Sequence, residues 1–150
     1  AVHISTVAME LCAALTVDTF SKPNLAVQCA ILHDTLEDTN TDHASVVQTF
    51  GAAVADGVLA LTKDHKLPKP DAMADSLRRI KEQPHEVWAV KLADRITNLQ
   101  PPPENWSQMK RQAYSEEAQI ILDALGSCSP YLAARLSKKI ATYRSRYCGA

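Results

Sequence analysis

The segment 25–32 constrains the fold more than any other part of the chain, because every residue in it except Gln28 is apolar. A helix without a polar face belongs in the buried centre of a domain. No segment alternates apolar and polar residues over the length of a strand, and apolar residues recur at helical spacing throughout. We therefore predict an all-α protein, a compact bundle of about eight helices that forms one domain over residues 1–150.

Turn and capping residues divide this bundle into its helices. Asn24 is suited to cap the second helix, Gly51 to end the third, and Pro84 to open the long helix that precedes the proline run 101–103. The predicted helices cover 4–16, 25–36, a segment that follows the turn 39–42 and ends at Phe50, 52–62, 70–83, 84–99, 106–125 and 130–147.

The overall composition gives no indication of a polyanionic partner. The net charge is −1, so nothing in the total charge predicts binding to nucleic acid or to an anionic membrane surface. No apolar run approaches the ~18 residues that cross a bilayer, and no signal peptide leads the chain. The 4 cysteines lack CxxC spacing, which favours free thiols in a reducing cytoplasm. We expect a cytoplasmic protein, with a homo-oligomer left open.

The start of the chain carries a further expectation. The sequence begins at Ala1, without an initiator Met, and already lies inside an apolar-periodic segment. We therefore expect a short segment to precede residue 1 in the natural protein.

A dense polar cluster ends the most apolar helix. His33 and Glu37 lie four residues apart, as do Asp34 and Asp38, so each pair shares a helix face. Three carboxylates and an imidazole within two turns repel one another and resist burial, a cost that a divalent cation removes. Mixed histidine and aspartate ligands suit Mn²⁺, Fe²⁺ or Zn²⁺ better than Ca²⁺. The alternative is a solvated, frayed helix end with an acidic surface.

A second polar interruption lies in the apolar helix 87–99. Asp94 and Asn98 are four residues apart on one face of this helix. A carboxylate in such surroundings needs a metal ion, a basic partner or a helix cap. The alternative to a metal ligand is a buried salt bridge from Asp94 to a lysine or an arginine, although the neighbouring Arg95 projects from another side of the helix.

Together these segments resemble the HD superfamily of metal-dependent phosphohydrolases, whose pattern is H…HD…D with ligands from different helices. The resemblance narrows to the hydrolase domain of the alarmone (guanosine tetra- and pentaphosphate) enzymes, especially their short hydrolase-only forms. The matching motifs are His-Asp-Thr-Leu-Glu-Asp-Thr at 33–39, Lys-Leu-Pro-Lys at 66–69 and Val-Lys-Leu-Ala-Asp-Arg-Ile-Thr-Asn-Leu at 90–99. The resemblance implies an HD-type helical bundle that hydrolyses the 3′-pyrophosphate of a guanine nucleotide.

The resemblance also implies a role for each matching residue. A divalent metal, usually Mn²⁺ in this family, would be held by His3, His33, Asp34 and Asp94. Glu37 and Asp38 would orient and deprotonate the attacking water. Asn98 would contact the ribose, and Lys69 and Lys110 the phosphate oxygens, with Arg111 as the alternative to Lys110. Without the resemblance, both lysines are equally well explained as solvated surface charges.

Two features depart from the pattern of this family. Family members usually have proline after the first metal histidine, where this chain has Ile4. They also carry a basic, nucleotide-contacting segment before that histidine, and the sequence does not show one. Two other functions therefore stay open: hydrolysis of a different phosphorylated nucleotide, and a catalytically inactive module that binds a nucleotide or a partner.

Overall fold

The computed structural model describes residues 2–149, with the side chain of Asp38 outside the described part. These residues form α-helices, one 3-10 turn and no strand, which confirms the predicted all-α class. The helices are α1 (Val2–Val17), α2 (Pro23–Leu32), α3 (Thr35–Asp38), α4 (His43–Phe50), α5 (Ala52–Leu61), α6 (Lys69–Lys81), α7 (His85–Asn98), α8 (Gln108–Leu125) and α9 (Pro130–Tyr147), with the 3-10 turn at Gly126–Cys128. None of the helices is long and apolar enough to cross a membrane.

Helix α7 occupies the centre of the bundle, where α2 was expected. It packs against α1, α2, α5, α6, α8 and α9, and nearly its whole surface is buried. Helix α2 buries only the face that meets α1, α5 and α7, and Ile31 on its other side is 49% exposed. The prediction for α2 was wrong because the neighbouring helices cover only one face of it, which carries Leu25, Ala26, Cys29 and Ala30.

The boundaries of α2 also differ from the prediction. The helix begins at Pro23 with Lys22 as its N-cap, so Asn24 lies inside the first turn and caps nothing. Proline suits this position because it has no N–H to leave unpaired and its φ is already helical. The helix ends at Leu32 instead of continuing to Leu36. There the His33 imidazole bonds the Ala30 carbonyl at 2.6 Å, competing for the acceptor that a continued helix would use.

The remaining boundaries follow the local cap chemistry. The Asp42 carboxylate accepts a hydrogen bond from the Ser45 amide at 2.8 Å and starts α4. Gly51 joins α4 to α5 with φ of 91°, a conformation that favours glycine. Helix α8 starts after Ser107, whose side chain accepts from the Lys110 amide at 3.1 Å. Trp106, predicted as the first helical residue, therefore lies before the helix.

Candidate metal centre and adjoining cleft

Three helices bring His3, His33 and Asp94 together at one point. His3 lies in the first turn of α1, His33 follows the last residue of α2, and Asp94 lies in the central helix α7. His3 Nε2 is 2.9 Å from Asp94 Oδ1, and His33 Nε2 is 3.3 Å from the same oxygen. One ligand atom from each residue lies within 4.8 Å of the others, an arrangement that could hold a metal ion.

Asp34 lies beside this group of three. Its Oδ2 is 3.2 Å from His33 Nε2, but the carboxylate stands outside the set of mutually close ligand atoms. The side chain is 34% exposed, against 14% for Asp94. Asp34 borders the same cavity as the group of three, so it is a candidate for a fourth ligand.

The His33 ring presents a bare nitrogen to the cluster. Its Nδ1 lies 2.6 Å from the Ala30 carbonyl, which requires a proton on that nitrogen. Nε2 is buried, and within the described part of the chain no group near it is aligned for a hydrogen bond. Once Nε2 loses its proton, its lone pair faces the cluster, as in metal-ligating histidines whose other ring nitrogen donates to a carbonyl.

Without a metal ion, the ionisable side chains of the cluster shift one another's pKa values. Burial lowers the pKa of His33, but the carboxylates of Asp34 and Asp94 outweigh it and raise the pKa to about 10. Burial likewise opposes ionisation of Asp94, yet its contacts with His3 and His33 hold the pKa of that carboxyl well below its usual range. The hydrogen bond to Asp94 raises the pKa of His3. The cluster therefore attracts positive charge.

Lys91 adds a second positive group behind Asp94. Its side chain is 8% exposed, and its Nζ lies 4.0 Å from Asp94 Oδ2. Burial lowers the pKa of Lys91 because the apolar surroundings disfavour the ammonium. The two oxygens of Asp94 are thus divided, with Oδ1 facing the histidines and Oδ2 facing the lysine.

The cluster opens into a cavity of about 310 Å³. It is lined by His3, His33, Asp34, Glu37, Leu61, Lys63, His65, Val90, Lys91, Asp94, Arg95 and Asn98. Glu37 Oε1 accepts a hydrogen bond from the Lys63 amide at 2.8 Å, which holds this carboxylate at the cavity wall. Asn98 Nδ2 lies 3.4 Å from Asp94 Oδ1. The side chain of Asp38, expected to act with Glu37, lies outside the described part of the structure.

A second cavity, of about 620 Å³, adjoins the first. It is lined by Lys63, His65, Leu67, Lys69, Ala72, Trp106, Lys110, Ala113, Tyr114 and Glu117. Lys63 and His65 border both cavities, and we refer to these two neighbouring cavities together as the cleft. Lys69 and Lys110 line its far end, and the Lys110 ammonium sits 4.5 Å from the centre of the Trp106 ring. The cleft therefore has a carboxylate–imidazole end and a cationic, aromatic end.

Comparison with known proteins identifies the fold and its family. The family model described as the HD domain matches residues 2–127, most of the chain. The chain belongs to the HD domain family. The structure of a metazoan SpoT orthologue that hydrolyses ppGpp and plays a role in starvation responses has the same fold, with a TM-score of 0.79 and 24% identity. That match covers 98% of this chain and 81% of the other.

Relatives at the level of sequence include guanosine-3′,5′-bis(diphosphate) 3′-pyrophosphohydrolases named MESH1. The zebrafish (Danio rerio) protein is 34% identical over 116 residues, which is 75% of this chain and 64% of the relative. The human protein (Homo sapiens) is 36% identical over 108 residues, or 67% and 59% of the two chains. This HD domain thus spans about 60% of the length of these relatives.

The predicted site residues that the structure describes lie along the cleft, but not all at the same end. His3, His33, Asp34, Glu37, Asp94 and Asn98 border the first cavity, whereas Lys69 and Lys110 border the second. Arg111 borders neither cavity of this HD domain within the described residues, and its Nη2 lies 3.5 Å from the Glu104 carbonyl. Lys63 and His65 were missed, although they lie just before the motif Lys-Leu-Pro-Lys at 66–69 that pointed to Lys69.

Proposed function

We propose that this HD domain hydrolyses the 3′-pyrophosphate of guanosine tetra- and pentaphosphate, releasing pyrophosphate with GDP or GTP. The observation that carries this proposal is the two-ended cleft. A group of His3, His33 and Asp94 suited to a divalent cation lies at one end, and Lys69 and Lys110 lie at the other. A nucleotide phosphorylated at two positions needs two such ends. The names of the MESH1 relatives support the same substrate.

We further propose that Asp34 joins the group of three in holding the metal, and that the metal is Mn²⁺. The bare Nε2 of His33, buried without a hydrogen-bond partner among the described residues, fits a metal ligand. Two imidazoles with one or two carboxylates form a donor set that suits Mn²⁺, Fe²⁺ or Zn²⁺. When bound, such a cation lowers the pKa of water and offsets negative charge on a phosphoryl group.

The residues of the chain then divide the work of a hydrolysis. The oxygen of a water molecule bonds to the phosphorus that is attached to the ribose 3′-oxygen. The bond between that phosphorus and the 3′-oxygen breaks, and the 3′-oxygen takes up a proton as it leaves. Glu37 stands at the cavity wall where it can orient the water and accept its proton. Asn98 borders the same cavity and is suited to a ribose hydroxyl. Lys69 and Lys110 offset the charge of the other phosphate group.

We also propose a cytoplasmic location. Cys12, Cys29, Cys128 and Cys148 are free thiols, which supports a reducing compartment.

Product identification tests the proposed reaction. The protein is incubated with guanosine tetraphosphate and Mn²⁺, and the products are separated by anion-exchange chromatography and assigned by phosphorus NMR. Equal amounts of GDP and pyrophosphate are expected. Release of orthophosphate, or turnover only of nucleoside monophosphates or cyclic nucleotides in a parallel panel, points to a different phosphohydrolase.

The same assay separates an enzyme from an inactive binding module. An Asp94→Asn variant serves as the matched control, because it keeps the size of the side chain and removes the charge that His3 and His33 share. Activity in the wild type that is absent from this variant supports hydrolysis at this cluster. Substrate binding without turnover in the metal-loaded wild type contradicts the proposal.

A further inference from the structure

Arg95 connects the two ends of the cleft from inside the protein. Arg95 is 4% exposed, and from helix α7 it borders the first cavity. Its Nη2 donates to Glu117 Oε1 at 2.7 Å, and its guanidinium carbon lies 4.7 Å from the centre of the Tyr114 ring. Glu117 and Tyr114 both belong to α8 and border the second cavity. One buried cation therefore holds two wall residues of the neighbouring cavity.

Glu117 carries a negative charge in a cavity whose other charged side chains are basic. It is the only acidic side chain among the described residues that border the second cavity, where three lysines and His65 converge. A free carboxylate there would repel any phosphate group that those lysines attract. The hydrogen bond to Arg95 pairs this carboxylate with a buried cation and draws one of its oxygens toward α7.

Stability alone is a weak explanation for this buried pair. The Nε and Nη1 atoms of Arg95 are buried and have no hydrogen-bond partner within residues 2–149. Burying a guanidinium with two unpaired nitrogens is costly, and buried ion pairs are often no more stabilising than apolar residues of similar size. The arrangement is explained if the charge of Arg95 serves the cleft.

We propose that Arg95 is a positioning residue that neutralises Glu117 and fixes Tyr114, so that the second cavity stays cationic and binds the phosphorylated end of the substrate remote from the metal cluster. The identity of that substrate rests on the proposed function. The proposal itself concerns how tightly this cavity binds a phosphate group. Arg95 acts through Glu117, which sets its expected mutational signature apart from that of a merely structural residue.

A double-mutant cycle tests this with pyrophosphate as the probe, measured by titration calorimetry in the presence of EDTA so that no metal contributes. Arg95→Met should weaken binding about tenfold, because Glu117 is left charged and free. Glu117→Gln alone should bind at least as tightly as the wild type. The double variant should recover to within about threefold of the wild type, which lost packing cannot explain.

Glu116→Gln is the matched control. Glu116 is the exposed neighbour of Glu117 and accepts a hydrogen bond from Gln112, outside both cavities. When Glu116→Gln is combined with Arg95→Met, pyrophosphate binding should stay as weak as in Arg95→Met alone. If circular dichroism shows that Arg95→Met does not fold, Arg95→Gln, which also removes the charge, is measured with and without Glu117→Gln and interpreted in the same way.

Two results overturn the inference: wild-type affinity in the folded Arg95 variant, or a double variant no tighter than that single variant. The KM for guanosine tetraphosphate is measured in parallel. If the wild type does not hydrolyse guanosine tetraphosphate but the variants show the expected order of pyrophosphate affinities, the proposed function is refuted and this inference is supported. Hydrolysis in the wild type without that order refutes this inference alone.

Discussion

His3 Nε2 lies 2.9 Å from Asp94 Oδ1, although the two residues are separated by 91 positions in the sequence. The same oxygen is 3.3 Å from His33 Nε2, so one carboxylate oxygen is shared by two imidazoles. His3 lies in α1 and His33 directly follows α2, and α7, which carries Asp94, packs against both helices. Asp94 is therefore the residue on which the geometry of the whole cluster depends.

Removing the charge of Asp94 should abolish metal binding. We expect Asp94→Asn to lose bound Mn²⁺, measured by plasma emission spectroscopy after dialysis, and to lose hydrolytic activity with it. His43→Asn is the control, because His43 also pairs with an aspartate, Asp56, but on the exposed surface. Full metal content in the Asp94 variant would contradict the assignment of this residue as a ligand.

Glu37 should affect turnover and not metal content. Its Oε1 is held by the Lys63 amide, and the residue does not belong to the group of three potential ligands. Glu37→Gln should keep Mn²⁺ while kcat falls by ~10²–10⁴-fold, the usual contribution of a positioned acid or base. Asp34→Asn should lower metal affinity and activity together. Equal loss of metal in both variants would show that Glu37 is a ligand.

Lys69 should contribute mainly to substrate binding. It borders the cavity away from the metal cluster, so Lys69→Ala should raise KM about tenfold and change kcat little, since a hydrogen bond to a charged group contributes ~1.5–3 kcal/mol. Lys66→Ala is the matched control from the same loop, because Lys66 is exposed and borders neither cavity among the described residues. Equal KM values for the two variants would return Lys69 to an ordinary surface charge.

The metal-free protein should become less stable as the pH rises. The pKa of His33 is raised from 6.5 to about 10, so its protonation stabilises the fold fully below pH 6.5, and this contribution disappears as the pH passes 10. The melting temperature in EDTA should fall over this range more steeply in the wild type than in His33→Asn. With excess Mn²⁺ the trend should reverse, because metal binding requires the neutral imidazole. Identical slopes in the two proteins would contradict this role of His33.

The four cysteines should react with thiol reagents at very different rates. Burial raises the pKa of Cys29 and of Cys128 to about 12, which leaves a thiolate fraction of ~10⁻⁴ at pH 8. Cys12 is exposed on α1 and should be labelled first by iodoacetamide in the folded protein. Mass spectrometry of Cys12→Ser should show little early labelling at the buried positions. Rapid labelling of Cys29 would indicate that the core opens readily.

Much of the fold could be predicted because local signals set it. Proline and glycine punctuation and polar caps placed α4, α5 and α9 within a residue or two, as at Asp42 and Gly51. The residues of the cluster could be found because carboxylates and imidazoles interrupt apolar helices at 33–34 and at Asp94, where burial is costly. One domain over 1–150 stays a prediction.

Other features depend on contacts between distant segments and could not be predicted. The break after Leu32 follows from a bond between the His33 ring and the Ala30 carbonyl, and helical periodicity does not report such a bond. Arg95 pairs with Glu117, which lies 22 residues further along the chain, and no local sequence pattern reports that pairing. Lys63 borders both cavities because its loop folds back over Glu37.

The way α2 ends matters for grafting the His33-Asp34 pair into another protein. Neighbouring residues of an uninterrupted helix project ~100° apart, so the side chains of an adjacent His-Asp pair diverge. Here the helix ends before His33, Asp34 has φ of −96° and ψ of −1°, and its Oδ2 lies 3.2 Å from His33 Nε2. A designer who grafted the dipeptide into the middle of a long helix would keep the two residues and lose this contact. The portable unit is the pair together with the turn that follows it.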